Sequence, residues 1–85
     1  MKDMIIEIKK TSIRLPDNMF IDTCKFYNAK IHKTISNEFW KIEGKDLDIT
    51  YILGEAGLPN GVILGRDFRI IDSEYMNKKN KNHYK

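Results

Sequence analysis

Apolar and polar residues alternate in short runs along this chain. Met4, Ile6 and Ile8 share one phase, with Glu7 and Lys9 on the other. Tyr27, Ala29 and Ile31 share a face against Asn28, Lys30 and His32, and Trp40 and Ile42 alternate with Lys41 and Glu43 until Gly44. Leu47, Ile49, Tyr51 and Leu53 alternate with Asp48 and Thr50. A period of two marks a half-buried strand, so these runs predict strands near 4–9, 25–34, 39–44 and 47–53. Val62–Leu64 and Phe68–Ile71 are two more apolar runs, with a bend at Gly65, Arg66 and Asp67 between them.

Turn signals punctuate the runs. Pro16, Asp17 and Asn18 mark a long loop after the first strand, and Ser36-Asn37 a tight turn. The stretch DNMFIDTCKFY carries a cap residue, Asp17 or Asn18, and apolar residues near helical spacing, which predicts a single helical turn. β-branched and aromatic residues dominate elsewhere, so the expected fold class is mostly β, with no helix beyond about two turns.

Taken in order, IIEIKK, a long loop, FYNAKIHKT, EFWKIEG, DITYIL and GVILGRDFRIID resemble the strands of SH3-like barrels, especially small ones encoded by phages of low-GC bacteria. The resemblance spans about residues 4–72 and rests on strand lengths and punctuation. It implies a small SH3-like five-stranded β-barrel. The long GEAGLPNG connection departs from that pattern. Proteins of that kind commonly work as inhibitors or adaptors of a host protein, which is what the resemblance implies here.

Eighty-five residues make one domain with a thin core. No apolar run approaches the roughly 20 residues of a membrane span, and Met4–Ile8 is too short for a signal peptide. The single cysteine, Cys24, leaves no disulfide framework, and the expected location is cytoplasmic. Fifteen Lys and Arg against 12 Asp and Glu give a net charge of +3. Residues 1–73 hold 11 of each sign, so the surplus belongs to 74–85, with Lys78, Lys79, Lys81 and Lys85 against Glu74. The expected organisation is a neutral domain over 1–73 and a basic, flexible tail over 74–85.

The glycines of AGLPNGVILGRD invite a phosphate-loop reading, which fails. Gly57 to Gly61 is one residue short of the GxxxxGK[ST] spacing, and Val62 stands where the lysine is needed. Pro59, Asn60 and Gly61 read as a turn, and Gly65 as a bulge or a close backbone approach. Cys24 and His32 are eight residues apart, about 26 Å at strand rise, too far for a nucleophile and its base. Asp46 and Asp48 make a same-face carboxylate pair with no further ligands beside it. No catalytic residue, metal site or cofactor is expected.

Surfaces remain. Phe26 shares a phase with Lys30, Phe39 with Lys41, and Ile52 with Asp48 and Thr50. If their strands are neighbours, Phe26, Phe39 and Ile52 form an outward apolar patch edged by Lys30 and Lys41, while Trp40 belongs to the core. The expected function is therefore a non-catalytic module binding a protein partner. The alternative is a nucleic-acid-binding barrel, with Phe26 and Phe39 stacking on bases beside Lys30, Lys41 and the lysine tail. Clustering of charge in space separates the two.

Overall fold

A computed structural model describes residues 3–72. The expected tail over 74–85 lies outside the described residues. Along the chain come β1 (Met4–Lys9), a short 3-10 turn (Lys10–Ser12), α1 (Asp17–Phe26), β2 (Lys30–His32), β3 (Phe39–Gly44), α2 (Asp46–Ala56) and β4 (Phe68–Asp72). The strands form one antiparallel sheet of order β2-β3-β1-β4. Each helix joins two strands that flank a third, which is the split βαβ arrangement taken twice.

Register fixes which side chains share a face. Ile6 pairs with Ile42 and Ile70, Ile8 with Trp40 and Phe68, and Ile31 with Ile42. That face is the core side. Phe20 and Cys24 from α1 and Ile49, Ile52 and Ala56 from α2 close over Ile6 and Ile42, all fully buried. Trp40 packs its ring 4.8 Å from Phe20, in the core position its phase predicts. Each such large apolar side chain contributes about 1.5–3 kcal/mol by leaving water. Successive strand residues point to opposite faces, so Glu7, Lys9, Lys30, His32, Phe39, Lys41, Glu43 and Arg69 project from the side without helices.

The expected mostly β, SH3-like five-stranded barrel is not formed. The sheet is open and four-stranded, and α1 and α2 run for 10 and 11 residues. The strand expected over 47–53 is helix α2, because two periodicities coexist there. Leu47, Ile49, Tyr51 and Leu53 alternate, but Ile49, Ile52, Leu53 and Ala56 also recur at helical spacing. Packing against the sheet selects the second set. Ile49, Ile52 and Ala56 are fully buried, whereas Leu47 is 62% and Tyr51 50% exposed. Asp46 and Asp48 sit in the first turn of α2, where the positive end of the helix dipole favours them.

The strand expected over 25–34 shrinks to β2, because α1 continues to Phe26 and needs a stop. Asn28 supplies it with φ of 59°. The Ala29 N–H donates to Cys24 O at 2.8 Å and the Asn28 N–H to Lys25 O at 3.1 Å, the Schellman pattern. The run Val62–Leu64 keeps only an isolated bridge between Leu64 and Phe68.

Residues 57–67 return the chain from α2 to the edge strand. The turn expected at Pro59-Asn60-Gly61 is present, with the Gly61 N–H donating to Leu58 O at 2.8 Å and φ of 89° at Gly61. Gly57 is required for a different reason. A Cβ there would lie 2.5 Å from Leu53 O and 2.8 Å from Val62 Cγ1, so only glycine lets the chain leave the helix so closely. Gly65 has φ of 93° and open space around it, so backbone conformation and not close approach calls for glycine.

Asp67 ties this segment to the rest. Its carboxylate accepts from Ser12 Oγ at 2.8 Å, from the Ile63 N–H at 2.7 Å and from Arg66 Nε and Nη2 at 3.1 and 2.9 Å. Its own carbonyl accepts the Lys9 N–H at 2.9 Å. Asp67 and Ser12 are the buried polar side chains among the described residues, and each satisfies the other.

Two outcomes follow from this packing. Ile52→Ala removes a fully buried side chain and is expected to cost about 2–5 kcal/mol, a fall in melting temperature of at least about 8 °C. A thermal melt checks it, and an unchanged midpoint would place Ile52 at the surface. The second outcome concerns acid. Arg66, then the Ile63 amide and Ser12, hold the Asp67 carboxyl down at about 2 against an ordinary 3.8. A lowered folded-state pKa stabilises above the unfolded value and is lost as pH falls through the folded one. The protein is therefore expected to lose stability more steeply than Asp67→Asn between about pH 4 and pH 2. Parallel curves in denaturant melts across that range would contradict it.

Candidate functional site

The sheet separates the residues expected to form one patch. Ile52 is fully buried under the sheet and belongs to no surface, which corrects its assignment as a binding residue. Phe26 ends α1 and is 77% exposed, on the helical layer. Phe39 begins β3 and points, half-buried, from the opposite side of the sheet. Lys30 and Lys41 share that open side, with Lys30 paired in register to Glu43 and Lys41 to Glu7 and His32. Phe39 and Lys41 are therefore neighbours, and Phe26 is not with them.

Phe26 has other company. Its ring meets Tyr27 edge-on at 4.9 Å between centroids, and Tyr27 stacks on Tyr51 of α2 at 5.6 Å. Leu47 lies one helical turn before Tyr51, on the same face of α2. The three rings make a ladder across the junction of the two helices, with exposed faces on Phe26 and Tyr51. Glu55 fixes one rung: the Tyr27 hydroxyl donates to its carboxylate. That bond, then desolvation and the charge of Glu55, raises the Tyr27 pKa and holds the phenol protonated. Arg14 anchors the same turn by donating from Nη2 to Glu55 O at 2.6 Å.

Tyr27, Tyr51 and Leu47 escape a strand-based reading, which places Leu47, Ile49 and Tyr51 on one face. A helical reading of 46–56 puts Leu47, Tyr51 and Glu55 on one line, away from Ile49, Ile52 and Ala56. That spacing is the sequence signal for the α2 side of the ladder.

Charge is also sorted by the fold. α1 and α2 carry Asp17, Asp22, Asp46, Asp48 and Glu55 against Lys25 alone. The open side of the sheet carries Lys9, Lys30, Lys41 and Arg69 against Glu7 and Glu43, with Lys10 and Lys33 next to the strand ends. Its carboxylates are engaged: Glu7 with Arg69 at 2.8 Å and Glu43 with His32 Nε2 at 2.7 Å. A domain that is neutral by count is thus acidic on its helices and basic on its sheet.

Cys24 and His32 lie on different elements, α1 and β2, and not along one strand as expected from their spacing. Cys24 lies in the core under α1, and His32 sits on the open side of the sheet. Burial pushes the Cys24 thiol up to about 11, far from the thiolate a nucleophile needs. Asp46 and Asp48 share the first turn of α2, and among the described residues no three metal-ligating side chains gather. Among the same residues, no helix is long and apolar enough to cross a membrane. No protein-family model, curated protein or solved structure matches this chain.

The buried thiol gives a direct check. Cys24 is expected to be inert to an aromatic disulfide reagent at neutral pH in the folded protein and to react fully in denaturant. Rapid stoichiometric labelling of the native chain would show that α1 does not cover it.

Proposed function

We propose that the protein is a non-catalytic binding module that recognises a basic segment of a protein partner through the Phe26–Tyr27–Tyr51 ladder and Leu47. The carrying observation is the exposed aromatic ladder beside a row of carboxylates. Large aromatic side chains held at low entropic cost are the usual anchors of protein interfaces. Tyr27 is held by Glu55 and by both neighbouring rings, so the ladder is ordered before a partner arrives. Asp46 and Asp48 flank Leu47 in sequence, and Asp22 lies one turn before Phe26 on α1. Lysine or arginine on the partner complements them, which favours registry and association rate more than raw affinity.

The test starts with the immobilised chain and a nuclease-treated cell extract, followed by identification of the captured protein and titration with it. Phe26→Ala and Tyr51→Ala are each expected to weaken binding by about 1–3 kcal/mol. Phe26 is largely in water, so its replacement should shift the melting temperature by no more than about 4 °C. Full affinity in both variants would remove the ladder from the interface.

A further inference from the structure

The ladder leaves the opposite side of the molecule unused, and its most marked features gather around Phe39. Three clefts meet there. One of about 340 Å³ lies between Lys9–Thr11 and Asn37–Phe39. A second, about 300 Å³, runs from Ile31–Thr34 to Ser36, Asn37 and Trp40. A third, about 80 Å³, passes from Phe39 toward Gly65–Arg69. The two larger ones reach the lower end of the range for small-ligand sites.

Cations line these clefts. Lys9, Lys10 and Lys33 are on their walls, and Lys41 follows Phe39 on the same side of β3. Lys10 is held at the edge of the sheet, its Nζ 4.5 Å from the centre of the ring of Trp40, which lies on the core side. Among the described residues the ion pairs are His32–Glu43, Arg66–Asp67 and Arg69–Glu7, so none of these four lysines is neutralised by a carboxylate. Of the carboxylates beside Phe39, Glu7 and Asp67 are taken by those pairs. Glu38 shares the wall of the first cleft with Lys9 and Lys10.

We infer that this end of the sheet binds single-stranded nucleic acid, with Phe39 stacking on a base and Lys9, Lys10, Lys33 and Lys41 on the phosphates. The ammonium groups supply the sequence-independent attraction to a polyanion. The ring selects the single strand, because a duplex hides its base faces in the stack while an unpaired base offers one to an aromatic platform. The acidic helices face away, and of the carboxylates on the basic side Glu7, Glu43 and Asp67 are each engaged by a cation, which leaves Glu38 as the opposing charge. This site is independent of the helical ladder, and either can fail alone.

The test is fluorescence anisotropy of the full chain with labelled oligothymidylate and oligouridylate of about 12 nucleotides and a duplex of equal length, from about 50 to about 200 mM salt. The expected result is micromolar binding of the single strands, weaker binding of the duplex, and affinity that falls with salt. Phe39→Leu keeps an apolar side chain and removes the ring, and should weaken binding by about 5- to 150-fold. Lys33→Ala with Lys41→Ala should lower the logarithmic salt slope by about 1.4, two phosphate contacts at about 0.7 each. These lysines reach solvent, so that double variant stands even where Phe39→Leu loses stability. Lys25→Ala removes one positive charge from the helical layer and should change nothing. The inference is overturned by absent binding at about 50 mM salt, by equal or tighter binding of the duplex, by an unaffected folded Phe39→Leu protein, or by a Lys25→Ala loss as large as that of the double lysine variant.

Discussion

Phe20 of α1 and Ile49 and Ile52 of α2 close over the same two strand residues, Ile6 and Ile42, at the centre of the sheet. Two helices sharing one face of four short strands draw Ile6, Ile8, Ile31, Ile42 and Ile70 to that face. A domain of this size has no second core to build on the other. The bare side of the sheet is consequently laced with charge, and the outward stripes of the helices hold whatever large residues the core did not take. Both candidate surfaces are by-products of that single packing choice.

The elements with one possible period were legible in the sequence. β1 and β3 stand where the alternation about Ile6, Ile8 and Ile42 places them, and β4 where the apolar run Phe68–Ile71 stands. α2 was not legible at the level of alternation, since Leu47 to Ala56 satisfies two templates and only a sheet to lie on decides between them. Isoleucine and threonine in that segment carry a weak strand preference that tertiary packing overrides. The end of α1 hid behind the same ambiguity: Tyr27, Ala29 and Ile31 alternate on paper, yet Asn28 with positive φ separates the first from the other two.

For the site, strand phase put the buried Ile52 on the surface and grouped Phe26 with residues on the other side of the sheet. Phe26, Phe39, Lys30 and Lys41 all reach the surface to some degree, but strand phase says nothing about which side of a sheet another element occupies. A count of charges likewise records their balance and loses their position. The ladder of Phe26, Tyr27 and Tyr51 needs contacts across 24 residues, and no local pattern encodes them.

Sorting the charges by layer has a consequence for how the molecule travels. A body with nearly equal numbers of both signs feels little net pull, yet carboxylates on the helices and ammonium groups on the sheet give it an electric dipole moment across its thickness. In the field of a polyanion that dipole experiences a torque that turns the sheet forward and the helices to the rear. At physiological ionic strength the field reaches only about 8 Å into solution, so the turning happens in the last moments of approach. The aromatic ladder would then face open water while the other side is engaged, leaving both surfaces of so small a domain free to work at once.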